Sequence, residues 1–289
     1  MKKSISAIGL TISSLLISTA AYSASELWSL AGFSNPESTL YDSARDVIYV
    51  SNVNGAPTEK DGAGHISRIS KGGKMQDVEW VSGLNAPKGL VQFENQLYVS
   101  DIDRLIAIDV DSGEISGTWD AEGAKFLNDL AVDEKGHVYV SDMLGNGIYK
   151  FDGEKLSVWL QDEALQHPNG LQVDGDRLLV APWGKELQDD FTTKVPGHLL
   201  AVNLSSKSIS ALGSGTPVGN LDGLESDGQG SWYVSDWMAG ALYKIDAGGK
   251  ADLLLDLNQG SADLGVINGE GLVLMPMMMD NKVVAFSTR

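Results

Sequence analysis

The chain has 289 residues, 43% of them hydrophobic, 21% charged and none of them cysteine. That length and apolar share exclude disorder and suit one large domain, while the missing thiols exclude disulfides and a lipid-anchored lipoprotein. A formal net charge of −18 repels phosphate backbones and anionic lipid, so neither nucleic-acid binding nor membrane attachment is expected.

The chain opens on two lysines, an apolar stretch from Ile8 to Ala21 interrupted by Ser and Thr, and small residues up to Ala24. This pattern predicts a secretory signal over residues 1–24, too short to span a bilayer comfortably, and no second candidate span follows. The mature chain, residues 25–289, is then expected in the periplasm or outside the cell, and losing Lys2 and Lys3 takes its charge from −18 to −20.

Six later segments share one cadence: VIYVSN, QLYVSD, HVYVSD, RLLVAP, SWYVSD and LVLMPM. Their third residues are Tyr49, Tyr98, Tyr139, Leu179, Tyr233 and Leu274, spaced by 49, 41, 40, 54 and 41 residues. A period near 40 built from short apolar runs and Asp-Gly or Gly-Gly turns, with almost no helical periodicity, predicts an all-β, six-bladed propeller of four-stranded antiparallel blades. In blade 3 the strands fall on DLAVD, HVYVSD, GIYKFD and LSVWL, named A to D from the axis outward. The sixth repeat stops after its third strand, KVVAFST, so ELWSLAGF at residues 26–33 is expected to supply the outer strand and remove the open sheet edges.

Strand A of a propeller lines the axis, and the residue that opens it points into the channel mouth. Counting back 10 to 12 positions from each marker gives Glu37, Lys88, Asn128, Asn169, Asp222 and Asp263, one per blade. Three carboxylates on consecutive blades repel unless a cation lies among them. Carboxylate and amide oxygens without His or Cys suit one hard divalent cation, calcium first and then magnesium, with manganese and zinc left open.

Four segments resemble a known family. PESTLYDSARDVIYVSN, FLNDLAVDEKGHVYVSD, PNGLQVDGDRLLVA and LDGLESDGQGSWYVSD are similar, in order and across nearly the whole mature chain, to the signature segments of the family of senescence marker protein, gluconolactonase and luciferin-regenerating enzyme. The resemblance implies a six-bladed propeller with one divalent cation held by Glu37, Asn169 and Asp222. It also implies Asn128 close to the metal or its water, Asp129 beside it, and Asp222 as general base. The activity implied is hydrolysis of a lactone or related ester. Two positions depart from the family pattern: Ser38-Thr39 replaces Gly-Pro after the Glu, and Phe126 stands where sugar-lactone members carry an Arg, which points away from a polyhydroxylated substrate.

The loops between strands B and C emerge on the ring's face, and two are long, at 53–65 and 183–198. Long loops on a rigid scaffold usually carry binding. With Met143, Trp183, Trp237 and residues 275–280 around the rim, they predict a small-molecule substrate with an apolar or aromatic part, gripped in part by Trp183 and Trp237. Lys88 is expected either to hold a substrate carboxylate or to neutralise the acids. His167, two residues before Asn169, is within reach of the mouth, but a His at a loop edge is more often solvated or backbone-bonded than catalytic; His65, His137 and His198 are expected in structural roles. No Gly-x-Ser-x-Gly elbow and no His-Glu-x-x-His is present. The leading expectation is an exported, monomeric, metal-dependent lactonase or esterase; the alternatives are a non-catalytic ligand- or protein-binding propeller and a strictosidine synthase-like enzyme.

Overall fold

The computed structural model describes residues 24–289, so the predicted leader, apart from Ala24, lies outside the described residues. Strand B explains the cadence. In Val47–Asn52 and Val138–Asp142 every residue is buried, which is why these runs show no alternation of polar and apolar residues: neighbouring blades cover both faces of the strand. Outer strands behave differently. Ile115–Asp120 exposes most of its length, as the last strand of a blade facing solvent should.

The described residues form six four-stranded antiparallel sheets in the order of a β-propeller, as the spacing predicts, plus one two-stranded sheet. The inner strands are Pro36–Asp42, Pro87–Phe93, Leu127–Val132, Pro168–Asp174, Leu221–Ser226 and Gly265–Ile267. Each packs against the inner strand of the next blade around the axis, the sixth returning to the first. The core is divided accordingly into wedges between blades. One joins Ile48, Val50 and Ile69 of blade 1 to Leu274, Val283 and Ala285 of blade 6. Turn glycines fall where the sequence places them, with Gly175, Gly228 and Gly249 all at positive φ, a region open to Gly without a Cβ penalty.

Ring closure also follows the prediction. Ser25–Ala31 pairs antiparallel with Lys282–Ser287 as the outer strand of blade 6. The Trp28 indole donates to the Lys71 carbonyl at 3.1 Å, and the Asn35 N–H donates to Asn281 Oδ1 at 2.8 Å. The first bond ties the closing strand to blade 1, and the second joins the entry of blade 1 to blade 6. One element goes beyond the sequence reading: the expected loop 183–198 contains a hairpin, Gly184–Leu187 paired with Thr193–Pro196, and this is the two-stranded sheet.

Candidate functional site

In the first five inner strands the pairing to strand B breaks register at the ring position, between Pro36 and Thr39, Pro87 and Leu90, Leu127 and Leu130, Pro168 and Gly170, and Leu221 and Leu224. A bulge bends its strand and re-aims a side chain. Three of these bulges are held by the serine of the recurring Ser-Asp or Ser-Asn pair in strand B. Ser51 Oγ accepts from the Ser38 N–H at 2.9 Å, Ser141 Oγ from the Asp129 N–H at 3.0 Å, and Ser235 Oγ from the Gly223 N–H at 2.8 Å. The following Asp secures the loop that leads into its own blade's inner strand: Asp142 accepts from the N–H groups of Phe126 at 2.8 Å and Lys125 at 3.1 Å.

The glycine after Asn169 and Asp222 serves close approach between blades rather than a turn. A Cβ on Gly170 would lie 2.1 Å from the Asp222 carbonyl oxygen, and one on Gly223 would lie 2.5 Å from the Leu264 nitrogen. The repeated Asn-Gly and Asp-Gly pairs therefore mark where one ring residue abuts the next blade's backbone.

All six ring residues are buried. Four of them carry an oxygen that is buried and without a hydrogen-bond partner: Glu37 Oε2, Asn128 Oδ1, Asn169 Oδ1 and Asp222 Oδ1. Such atoms are costly unless something else satisfies them. They are the four side chains that sequence reasoning gives a cation, and their two carboxylates and two amides suit a hard ion. Among the described residues no group of three or more His, Cys, Asp or Glu side chains is arranged to hold a metal, so a cation here depends on the amide oxygens to complete its shell.

The third ring acid is engaged elsewhere. Asp263 Oδ2 accepts from the Ser38 hydroxyl at 2.5 Å, and its carboxyl is hydrogen-bonded to that of Asp129, which belongs to the opposite blade. Asp129 spends its other capacity on backbone, accepting from the N–H groups of Leu130 and Leu171, each at 2.6 Å. Neither acid lines the cavity above the ring, and neither does Asn169. Glu37, Lys88, Asn128 and Asp222 do line it, so the floor combines two acids, one ammonium and one amide.

Burial governs the electrostatics. Desolvation, then the charges of Asp222 and Asp263, push Glu37 well above the usual carboxylate range, with Lys88 acting against them. Desolvation and Asp263 raise Asp222 while its bond from Asn169 lowers it. Desolvation carries Asp263 up to about 7, opposed by its bonds to Ser38 and Asp129, and Glu225, further along an inner strand, up to about 8. Desolvation also lowers Lys88 to about 8, against the pull of Glu37 and Asp101. Its ammonium donates to the carbonyls of Ala86 at 3.0 Å and Pro57 at 3.1 Å, and lies 4.4 Å from the centroid of the Phe126 ring.

The cavity over these groups has a volume of about 300 Å³. Trp183 and Trp237 both line it, their ring centroids 6.1 Å apart. His167 does not; its Nδ1 lies 3.0 Å from the Met143 carbonyl oxygen. Sequence reasoning did not single out Phe191, which lines the cavity from the hairpin turn. Its only signal is a lone aromatic inside a polar loop already assigned to recognition.

No family model matches the chain, and no curated protein matches it by sequence. Solved structures do. A gluconolactonase from Xanthomonas campestris shares 15% identity at a TM-score of 0.66, over 89% of this chain and 87% of that one. Virginiamycin B lyase from Staphylococcus aureus, with quinupristin, shares 12% at 0.60, over 91% and 98%. A structure of a nidogen–laminin complex shares 18% at 0.60, over 76% and 79%. These likenesses establish the propeller; enzymes and a protein–protein complex alike appear among them, so the fold does not choose the chemistry.

Proposed function

We propose that this protein is an exported, divalent-cation-dependent hydrolase of a lactone or related ester, with its reaction at the floor of the axial cavity. One observation carries the reading: four of the six ring residues, Glu37, Asn128, Asn169 and Asp222, each from a different blade, carry a buried oxygen without a partner. These residues would hold the ion, with calcium the first choice for an all-oxygen set. When bound, such an ion supplies positive charge that polarises an ester carbonyl and acidifies water.

The chain's own groups do the rest. Asp222 lies on the cavity floor, where it can accept a proton from the attacking water. Lys88, fixed by two carbonyls, presents positive charge to the oxygen that gains negative charge as the ester opens. Phe126, Met143 and Trp183 pack together beside this floor and keep it dry, which strengthens each of these interactions.

The test is a panel of lactones and aryl esters assayed after exchange dialysis, with and without chelator. Turnover lost on chelation and restored by a divalent ion is expected, with Asp222→Ala and Glu37→Ala inactive yet folded by circular dichroism. Turnover that ignores chelator would overturn the mechanism. Stoichiometric cation binding with no turnover across the panel would make the protein a ligand-binding propeller.

A further inference from the structure

The cavity has two chemically separate zones. Its polar groups of the ring, Glu37, Lys88, Asn128 and Asp222, lie at the floor, and its walls are mostly aromatic, thioether and aliphatic. Asp190 and Gln259 are the polar side chains of the walls; Asp190 Oδ1 already accepts from the Thr192 N–H and hydroxyl, and Gln259 Nε2 lies 3.6 Å from Met238 Sδ. Phe126 occupies the wall beside Lys88, covering the ammonium with a ring face. Trp183 is buried, and its one polar atom is already used, since Nε1 donates to the Phe191 carbonyl at 2.7 Å. A ligand meeting these walls finds flat apolar surface and few partners for hydroxyl groups. A sugar lactone would bury several hydroxyls there unpaired, which a protein interior penalises heavily.

The hairpin Gly184–Leu187 and Thr193–Pro196 is anchored at its base. Asn220 Nδ2 donates to the Trp183 carbonyl and to Thr193 Oγ1, both at 2.8 Å, and the Gly197 N–H donates to the Gly219 carbonyl at 2.7 Å. Its turn carries Phe191 over the cavity with 43% of the residue exposed. An aromatic ring held at the edge of an apolar cavity, half covered by its own chain, gains most when a flat ligand covers the remainder.

We propose that the substrate is a small lactone or ester fused to, or carrying, an aromatic or similarly flat apolar ring, and that it is selected by Phe191 of the 184–196 hairpin together with Trp183 at the hairpin's base. This rests on the hydrolase reading for the reacting group, but the ring preference stands on the cavity walls alone. A cavity of about 300 Å³ lies at the small end of ligand sites and holds one compact bicyclic molecule rather than an extended chain.

Binding is measured by calorimetry on the mature chain with two lactams, which resist hydrolysis: 3,4-dihydroquinolin-2-one, the counterpart of the aryl lactone dihydrocoumarin, and the lactam of gluconic acid. The aryl lactam is expected to bind at least about tenfold tighter than the sugar lactam, and Phe191→Ala to weaken it roughly tenfold. Because Trp183→Ala risks the fold, the exposed Phe191 change is the primary variant, with Trp183→Phe as the milder second, expected to weaken the aryl lactam less. Equal or tighter binding of the sugar lactam, no measurable binding of the aryl lactam, or no effect of Phe191→Ala would overturn the proposal. Hairpin-dependent binding of the aryl lactam without hydrolysis of dihydrocoumarin would sustain it while removing the hydrolase reading.

Discussion

Taking one ring acid away at a time separates cation ligands from their neighbours. A cation at one hundred times its dissociation constant stabilises the folded state by about 2.7 kcal/mol. At 2–4 °C per kcal/mol for chains of this size, wild-type Tm should rise by roughly 5–10 °C. Asp222→Ala removes a buried oxygen that has no partner in the chain, so this rise should vanish, and Glu37→Ala should behave alike. Asp263→Asn is the informative control, because Asp263 is engaged by Ser38 and Asp129 and lines no part of the cavity. An amide there resembles the protonated acid, so the variant should keep most of the cation-induced rise. Differential scanning fluorimetry on chelator-dialysed protein, with and without calcium, reads all four proteins in one plate. A full rise in Asp222→Ala, or its complete loss in Asp263→Asn with the fold intact, would refute the assignment of ligands.

Deleting residues 25–33 reopens blade 6 and removes Trp28, Leu30 and Phe33 from a shared core; loss of one buried Phe alone costs about 3–5 kcal/mol, so Tm should fall by more than roughly 10 °C, and an unchanged melting curve would contradict the closure. Gly170→Ala places a methyl 2.1 Å from the Asp222 carbonyl oxygen; it should destabilise by at least about 1–3 kcal/mol in urea unfolding and weaken cation binding, and a neutral result would show that the blades yield. For the cation-free protein, Asp263 and Glu225 have folded pKa values near 7 and 8, above their ordinary values. A raised folded pKa gives stability that is full below the unfolded value and lost as pH climbs through the folded one. Tm should therefore decline between about pH 5 and pH 8, and the gain from added calcium should widen across the same range; a cation-free Tm that is flat or rises there would oppose this account.

The ring itself was legible because a propeller converts a sequence period into a rotation: an offset of 10 to 12 residues before each strand-B marker finds one axial side chain per blade. What each ring residue does was not equally legible. Asp222 and Asp263 occupy equivalent positions, yet one keeps an unpartnered oxygen and the other is bound by Ser38 and Asp129. The difference lies in the neighbouring and opposite blades, where Ser38 and Asp129 stand at the position that Gly170 and Gly223 fill elsewhere, and linear spacing does not report contacts across the axis. The serines of strand B were read only as part of a strand, because their partners are bulge N–H groups 12 or 13 residues away. Phe191 escaped notice for a related reason: only the hairpin turn swings it over the cavity.

The division of labour within each blade explains how such a site can exist. In blades 1, 3 and 5 the bulge is held by a strand-B serine, and after Asn169 and Asp222 a glycine allows the close approach between blades, so ring side chains are left with few bonds of their own. Four of them hold an oxygen that nothing in the chain satisfies. Buried polar groups in that condition cost stability, and natural proteins concentrate such costs at functional sites. The scaffold supplies the surplus from its inter-blade wedges and closing strand, whose packing involves none of the ring residues. Ring chemistry can therefore change while serine, glycine and wedge stay fixed, which fits a fold shared at 12–18% identity by a lyase, a gluconolactonase and a nidogen–laminin complex. For this chain it means that function is to be sought in the oxygens the fold leaves unsatisfied, and specificity in the walls above them.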